Sequence, residues 1–504
     1  MPISYIINNN DSTLPSQTIY GDINIAGSLS ATTYLGISSG PSVFTTGSTG
    51  NYSIKAINNS SIDATGDYSY AEGKATLAQG NASHAEGEIT TAIGNSSHTE
   101  GYYTTTIGNY SHAEGNSTTA SGDSSHAEGD STFAIGIASH AEGGKTTATG
   151  ESSHAEGGGT IASGNYGAHA EGFQTKASGI YGSHAEGFQT TAIGNSSHAE
   201  GYQTIASGRS SHAEGRQTTT IGEYSHAEGF LTTASGDSSH AEGYITKASG
   251  VYSHAEGSST FAIGDNSHAQ NRSTIATGVA SHAEGWGTSA FGLYSHSQNR
   301  FTKAIGNASH AEGSGTTASN TASHAEGIST IASGQFSHAE GRSTTASGQS
   351  SHAEGRSTTA SGTSSHAEGR STRAIGNASH SEGDNTTAFG GASHAEGLQT
   401  KAIGDYSHAE GRSTTASGTS SHSGGYVSIA SGNTSFIHST NSIVIGDRSA
   451  VLGGQNITGS TSDTVYMPKV ELVETGEGII MKSPDGTRYK LTIANGGTVS
   501  ISLA

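Results

Sequence analysis

Cysteine is absent from the 504 residues, so neither a disulfide framework nor a thiolate metal site holds this chain, and no redox chemistry is implied. No stretch of about 18 apolar residues occurs, which excludes a membrane-spanning helix. Basic residues are few: 21 Lys and Arg face 42 Asp and Glu, a net charge of -21. Binding a phosphate backbone needs clustered cations, and these are scattered, so nucleic acid is not an expected partner. Only 31% of the chain is apolar, too little for a conventional thick core at this length. Low apolarity with 74 glycines could signal disorder, but disordered chains are aperiodic and proline-rich, and here there are 5 prolines and a strict repeat. The opening residues, MPISYIINNNDSTLPSQ, lack the basic and apolar regions of a secretory signal. The expectation is a chain neither classically exported nor inserted in a membrane.

From Ser69 to Gly425 the sequence cycles through Ser-His-Ala-Glu-Gly, two free residues, Thr-x-Ala-x-Gly and two more free residues, 14 in all. Of 26 histidines, 25 share one column, with 15-residue steps only at His169 and His184. Each five-residue block alternates with period two, as a strand does, and the spacers read as turns. Ser, Ala and Gly, or Thr, Ala and Gly, then share one side of each strand, and only a very narrow roll has room for so small a lining. The fold predicted is an all-β solenoid of stacked 14-residue coils.

Where the cycle loses a glycine, at Asn271, Asn299 and Asn320, the replacement is Asn, the residue that best tolerates positive φ. A left-handed position closing each strand is therefore expected. The extra residues beside Tyr166-Gly167 and Tyr181-Gly182 fall in consecutive coils and should bulge together without breaking the ladder. Residues 1–50 lack the cycle and read as an attachment or spacer region, residues 51–454 as the solenoid, and residues 455–504 as a small β cap with a tight turn at Pro484-Asp485-Gly486.

The repeat resembles the YadA-like head of trimeric adhesins, in Ser83-His84-Ala85-Glu86-Gly87, Thr90-Thr91-Ala92-Ile93-Gly94 and Ser442-Ile443-Val444-Ile445-Gly446. The resemblance implies a left-handed parallel β-roll in a homotrimeric fibre. Two shorter segments, Gly21 to Ser30 and Lys482 to Lys490, resemble phage tail-fibre proteins that carry the same heads. Together they imply a structural fibre or spike of a virion that mediates attachment to a host cell, made in the host cytoplasm without a signal peptide. Its expected partners are two further copies of itself, other virion proteins through a terminal region, and a glycan or protein of the host surface. A purely architectural fibre and a non-viral cell-surface adhesin are the alternatives.

In a narrow roll the remaining strand positions point outward as two faces. One varies, through Thr91, Phe133, Lys176, Lys247, Lys303, Arg373 and Lys401. On a threefold axis it would bring like cations together. The uniform face is therefore expected at the axis, as an intersubunit ladder of His84 and Glu86, His126 and Glu128, His198 and Glu200, His240 and Glu242, His310 and Glu312, and His366 and Glu368. Tyr70, Phe436 and Leu452 should plug its ends. Carboxylates one coil apart repel by about 3 kcal/mol at an effective dielectric near 20. Imidazoles donating hydrogen bonds to them would relieve this and raise the histidine pKa. No metal and no cofactor is expected, because a repeated polar pair reads first as a hydrogen-bond ladder.

Catalysis needs one unusual group in one place, whereas every His, Glu and Ser here recurs in equivalent settings, so the chain is not expected to be an enzyme. Regular Thr points into the roll, which leaves no flat array for ice. Phe173, Phe188, Tyr202, Phe230 and Tyr244 share one spacer position and should stack into an aromatic stripe, either for a ligand such as a sugar or for packing against a neighbouring chain.

Overall fold

Small residues on alternate positions produce coils narrow enough to stack on themselves. The computed structural model describes residues 34–35, 43–56, 61–471, 478–493 and 497–504, in two compact units, 1–146 and 147–504. Gly21 to Ser30 lie outside the described residues. Among those described, no helix is long and apolar enough to cross a membrane.

The first unit opens with a short antiparallel ladder of Tyr34–Leu35, Val43–Thr46 and Ile54–Ala56, and parallel stacking begins where Ile54 and Lys55 pair with Tyr70 and Ala71. In the second unit the coils persist to Val465–Tyr466, which pairs with Ala450 and Val451. A three-stranded antiparallel sheet follows: Ile479–Lys482, Arg488–Ile493 and Val499–Leu503. Its first hairpin turns at Pro484-Asp485-Gly486, where Asp485 Oδ1 accepts a hydrogen bond from the Thr487 amide at 2.9 Å and Gly486 has φ 89°.

The parallel solenoid of 14-residue coils predicted from the repeat is the fold observed. One coil illustrates it. The His strand, His226–Phe230, and the Thr strand, Thr233–Ala234, each pair in register with their counterparts in the next coil, His226 with His240 and Thr233 with Lys247. The amides of His226 and Thr233 donate to Ser239 O and Thr246 O, both at 2.9 Å. Inside lie Ser225, Ala227, Thr232 and Ala234, none more than 2% exposed. The inward serine also closes a turn, since Ser225 Oγ donates to Gly222 O at 2.7 Å. Where threonine replaces both core alanines, at Thr99 and Thr106, the two hydroxyls bond each other at 2.7 Å, so these two buried groups satisfy one another.

Two glycine positions per coil have different causes. On the His strand Gly229 has φ 105°, and Asn271 and Asn299 stand in that column at 80° and 79°, as expected. Asn320 is a correction: its φ is not in the left-handed region. It occupies the Thr-strand column, where what matters is the close approach of the next coil's backbone. Asn320 meets that demand by turning outward, its Nδ2 donating to Ser333 O at 3.1 Å and its Oδ1 accepting from the Thr321 amide at 2.8 Å. The second spacer residue is left-handed almost regardless of type, including Leu231 at 55° and Ile245 at 55°. That conformation costs about 1–2 kcal/mol for a side chain with Cβ. A bond between successive coils, from the Ile245 amide to Phe230 O at 2.8 Å, offsets it.

The 15-residue steps behave as predicted. Tyr166 and Tyr181 bulge together, their rings stacked at 5.6 Å, while His154, His169 and His184 stay in register.

Candidate functional site

Period two turns His and Glu outward on either side of each buried Ala, and in-register parallel pairing then stacks like on like: His112 on His126, Glu114 on Glu128. The outcome is two adjacent columns. Neighbouring imidazoles lie parallel, as at His198 and His212, with centroids 4.7 Å apart and 1° between planes. The six expected pairs all stand in these columns, half-exposed, as at His126 and Glu128 with side chains 36% and 34% exposed. The Tyr70 ring packs tilted against His84 at 4.9 Å and the Phe436 ring tilted against His422 at 4.7 Å. Leu452 is a correction to the expected plugs, because it is 43% exposed and stands beside His438 in the Glu column.

Within one chain, the described His and Glu side chains do not form a regular hydrogen-bond ladder. His126 Nε2 lies 3.7 Å from Glu128 and His198 Nε2 3.8 Å from Glu200, beyond a normal N–H···O bond. The bond forms at His422, whose Nε2 lies 3.2 Å from Glu410 Oε1, and that ring is turned 64° from His408. Elsewhere stacking holds the rings parallel. The Nε2 atoms of His84, His126, His198, His240, His310 and His366 are buried without a hydrogen-bond partner.

At several histidines the expected pKa direction is reversed. Burial, followed by neighbouring imidazoles, pushes His112, His184, His240 and His366 below the usual value of 6.5. The carboxyls relieve their own repulsion by sharing protons along the column. Glu100 is pushed up to about 7 by hydrogen bonding with Glu114 and then Glu86, and Glu354 up to about 7 by Glu368 and then Glu340. Glu114 and Glu340 are correspondingly lowered, through Glu100 and Glu354 first. The signs oppose. A histidine lowered from 6.5 contributes stability present above that pH and lost as pH falls through its folded pKa. A carboxyl raised from 4.5 to about 7 contributes stability present below 4.5 and lost as pH rises through about 7. With a chelator present, melting temperature should peak between pH 6.5 and 7 and fall on further acidification; a steady rise from pH 8.5 down to 5 would contradict the lowered histidines.

The aromatic stripe forms as predicted. Phe173 stacks on Phe188 at 5.4 Å, Phe188 on Tyr202 at 5.0 Å, and Phe230 on Tyr244 at 5.3 Å. The missing rung, which sequence reasoning overlooked, is Arg216, its guanidinium 5.3 Å from the Tyr202 ring and 5.4 Å from Phe230. Inside the run each ring has both faces covered, so it presents edges outward. Face-on stacking of a sugar is therefore confined to the terminal rings, Phe173 and Tyr244. The same ridge holds Trp286 between Arg272 and Arg300, at 5.4 and 4.9 Å. Farther along it carries exposed Arg342, Arg356 and Arg370 in successive coils. Reading the free spacer residues every 14 positions would have found these cations.

Seven stretches, residues 71–97, 85–111, 113–139, 185–211, 325–351, 367–393 and 381–407, match the YadA head domain repeat (2 copies). The chain carries YadA head repeats. The matched stretches lie within the stacked coils that carry the two columns. No curated protein matches the sequence significantly.

Proposed function

We propose that three copies of this chain associate as a left-handed β-roll fibre, with the His and Glu columns toward the threefold axis, and that the fibre serves attachment rather than catalysis. The observation that carries this reading is the contrast between faces. The His and Glu face is uniform, half-covered and full of buried Nε2 atoms without partners. The opposite face varies and exposes Lys176, Lys247, Lys303, Arg373 and Lys401. YadA-like repeats, typical of homotrimeric adhesins, support the trimer. Burying the uniform face against two copies would cover the imidazole edges without bringing cations together.

The fibre is proposed to sit on a virion surface, as a phage tail or surface fibre, with a terminal region docked to other virion proteins and the ridge facing a host glycan or protein. The resemblance of Gly21 to Ser30 and Lys482 to Lys490 to phage fibres supports it. A non-viral adhesin fits the repeats equally well, and binding of the purified fibre to bacterial as against animal cells separates the two. Light scattering on the full-length chain is expected to give three times the 50.6 kDa chain mass. A monomer would leave both columns in solvent and sink the axial arrangement.

A further inference from the structure

We propose that the column face is a binding site for divalent transition-metal ions, each held by one imidazole Nε2 and carboxylate oxygens from two successive coils. All the ligands come from one chain, so the site stands whether or not the trimer does.

The geometry has three parts. His184 Nε2 lies 3.6 Å from Glu186 and 4.0 Å from Glu171. His212 Nε2 lies 3.6 Å from Glu200 and 3.9 Å from Glu214, and His366 Nε2 3.8 Å from Glu368 and 4.0 Å from Glu354. Two atoms bound to one ion at about 2.0–2.2 Å stand roughly 3.0–3.5 Å apart, so small side-chain shifts suffice. The second part is desolvation. These Nε2 atoms are buried and unpartnered, and His422 shows what a hydrogen-bonding ring in this column looks like, since it alone is turned to its carboxylate at 3.2 Å among the column's described rings. The third is room. A groove of about 640 Å³ runs along the carboxylate side of the column, walled by Glu186, Glu200, Glu214 and Glu228 and by Gly201 and Gly215, which add no side chain. It gives room for the carboxylates and is not itself lined by histidine.

The same geometry limits the ligand set. Parallel rings 4.7 Å apart aim their lone pairs side by side, so two imidazoles cannot converge on one ion. Two carboxylates balance one divalent charge, and mixed nitrogen and oxygen ligands suit Zn²⁺ or Co²⁺ better than Mg²⁺. Ions one coil apart would repel strongly, which restricts loading to about every second coil. Remaining coordination positions stay open to water or to a neighbouring chain.

The test uses the untagged full-length chain, stripped with chelator and titrated with Zn²⁺ alone, with bound metal counted after gel filtration. Several ions per chain are expected, at most about one per two coils, together with visible absorption when Co²⁺ replaces Zn²⁺ and a raised melting temperature with Zn²⁺ but not Mg²⁺. The double variant Glu200→Gln, Glu214→Gln should lose one or two ions, while Glu223→Gln, outside the column, loses none. Fewer than one Zn²⁺ per wild-type chain overturns the proposal whatever the variants do, as does an unchanged count in a double variant that melts like the wild type without metal.

Discussion

Gly390→Ala is expected to cost the fold more than about 4 kcal/mol, whereas Gly391→Ala, one residue on, leaves stability within about 0.5 kcal/mol. A Cβ on Gly390 would lie 2.0 Å from Gly404 O, 2.4 Å from its carbonyl carbon and 2.8 Å from the Asp405 amide nitrogen, all backbone. Gly404 cannot retreat, because its own Cβ position is 2.1 Å from Gly418 O in the following coil. Relief would require several coils to separate, at the expense of the ladders on both strands. The nearest atom to a Cβ on Gly391 is Asp405 Oδ1 at 3.5 Å, the end of a movable side chain. Its φ is not left-handed, and the Gly391 amide keeps its 2.8 Å bond to Asp405 Oδ1. Alanine there restricts the unfolded chain and can even add a few tenths of a kcal/mol. Urea melts of the two variants, with limited proteolysis to locate the damage, check this. Equal stability of the two would mean that coils are not stacked at the distance described.

That pair also marks where the sequence was legible. The repeat revealed strands, turns and lining, because a period of two with only Ser, Thr, Ala and Gly inside has one physical solution at this width. It did not separate the two reasons for glycine. Asn271 and Asn320 look alike in sequence, yet one sits at φ 80° and the other does not, since positive φ and close backbone approach select the same residue. The columns were legible as columns but not in their chemistry. Sequence put Glu beside His and suggested a hydrogen bond; ring stacking, a property of the 4.7 Å spacing, holds Nε2 too far from the carboxylates at His126 and His198. Arg216 went unseen because an aromatic search skips cations, although the Tyr202 and Phe230 rings sandwich it.

Removing residues 337–350 should leave a protein that melts within about 2 °C of the parent, while removing only residues 337–343 should lower melting by at least about 10 °C and abolish the soluble assembly. The longer deletion joins Phe336 to Ser351 and sets His352 on His324, in the register His338 now holds with both. Every bond type lost at one interface is regained at the next, as a one-dimensional stack requires. The shorter deletion joins Phe336 to Thr344. Thr345 then falls on the His strand of the preceding coil, and His352 on the Thr strand that holds Ile331. Gly348 would have to supply the left-handed backbone that Gly341 has at φ 99°. Thr344 would have to replace a serine that bonds Gly334 O at 2.7 Å. Worse, His352 to His422 and their carboxylates would pass to the opposite face, splitting both columns. In a single chain the penalty is concentrated at the junction; in a trimer the whole downstream face points away from the axis. Native mass of the two deletions therefore separates these costs: a 7-residue deletion that stays soluble and folded but monomeric would assign the columns to the interface. Two deletions indistinguishable in mass and melting would refute register as the source of the fibre's stability.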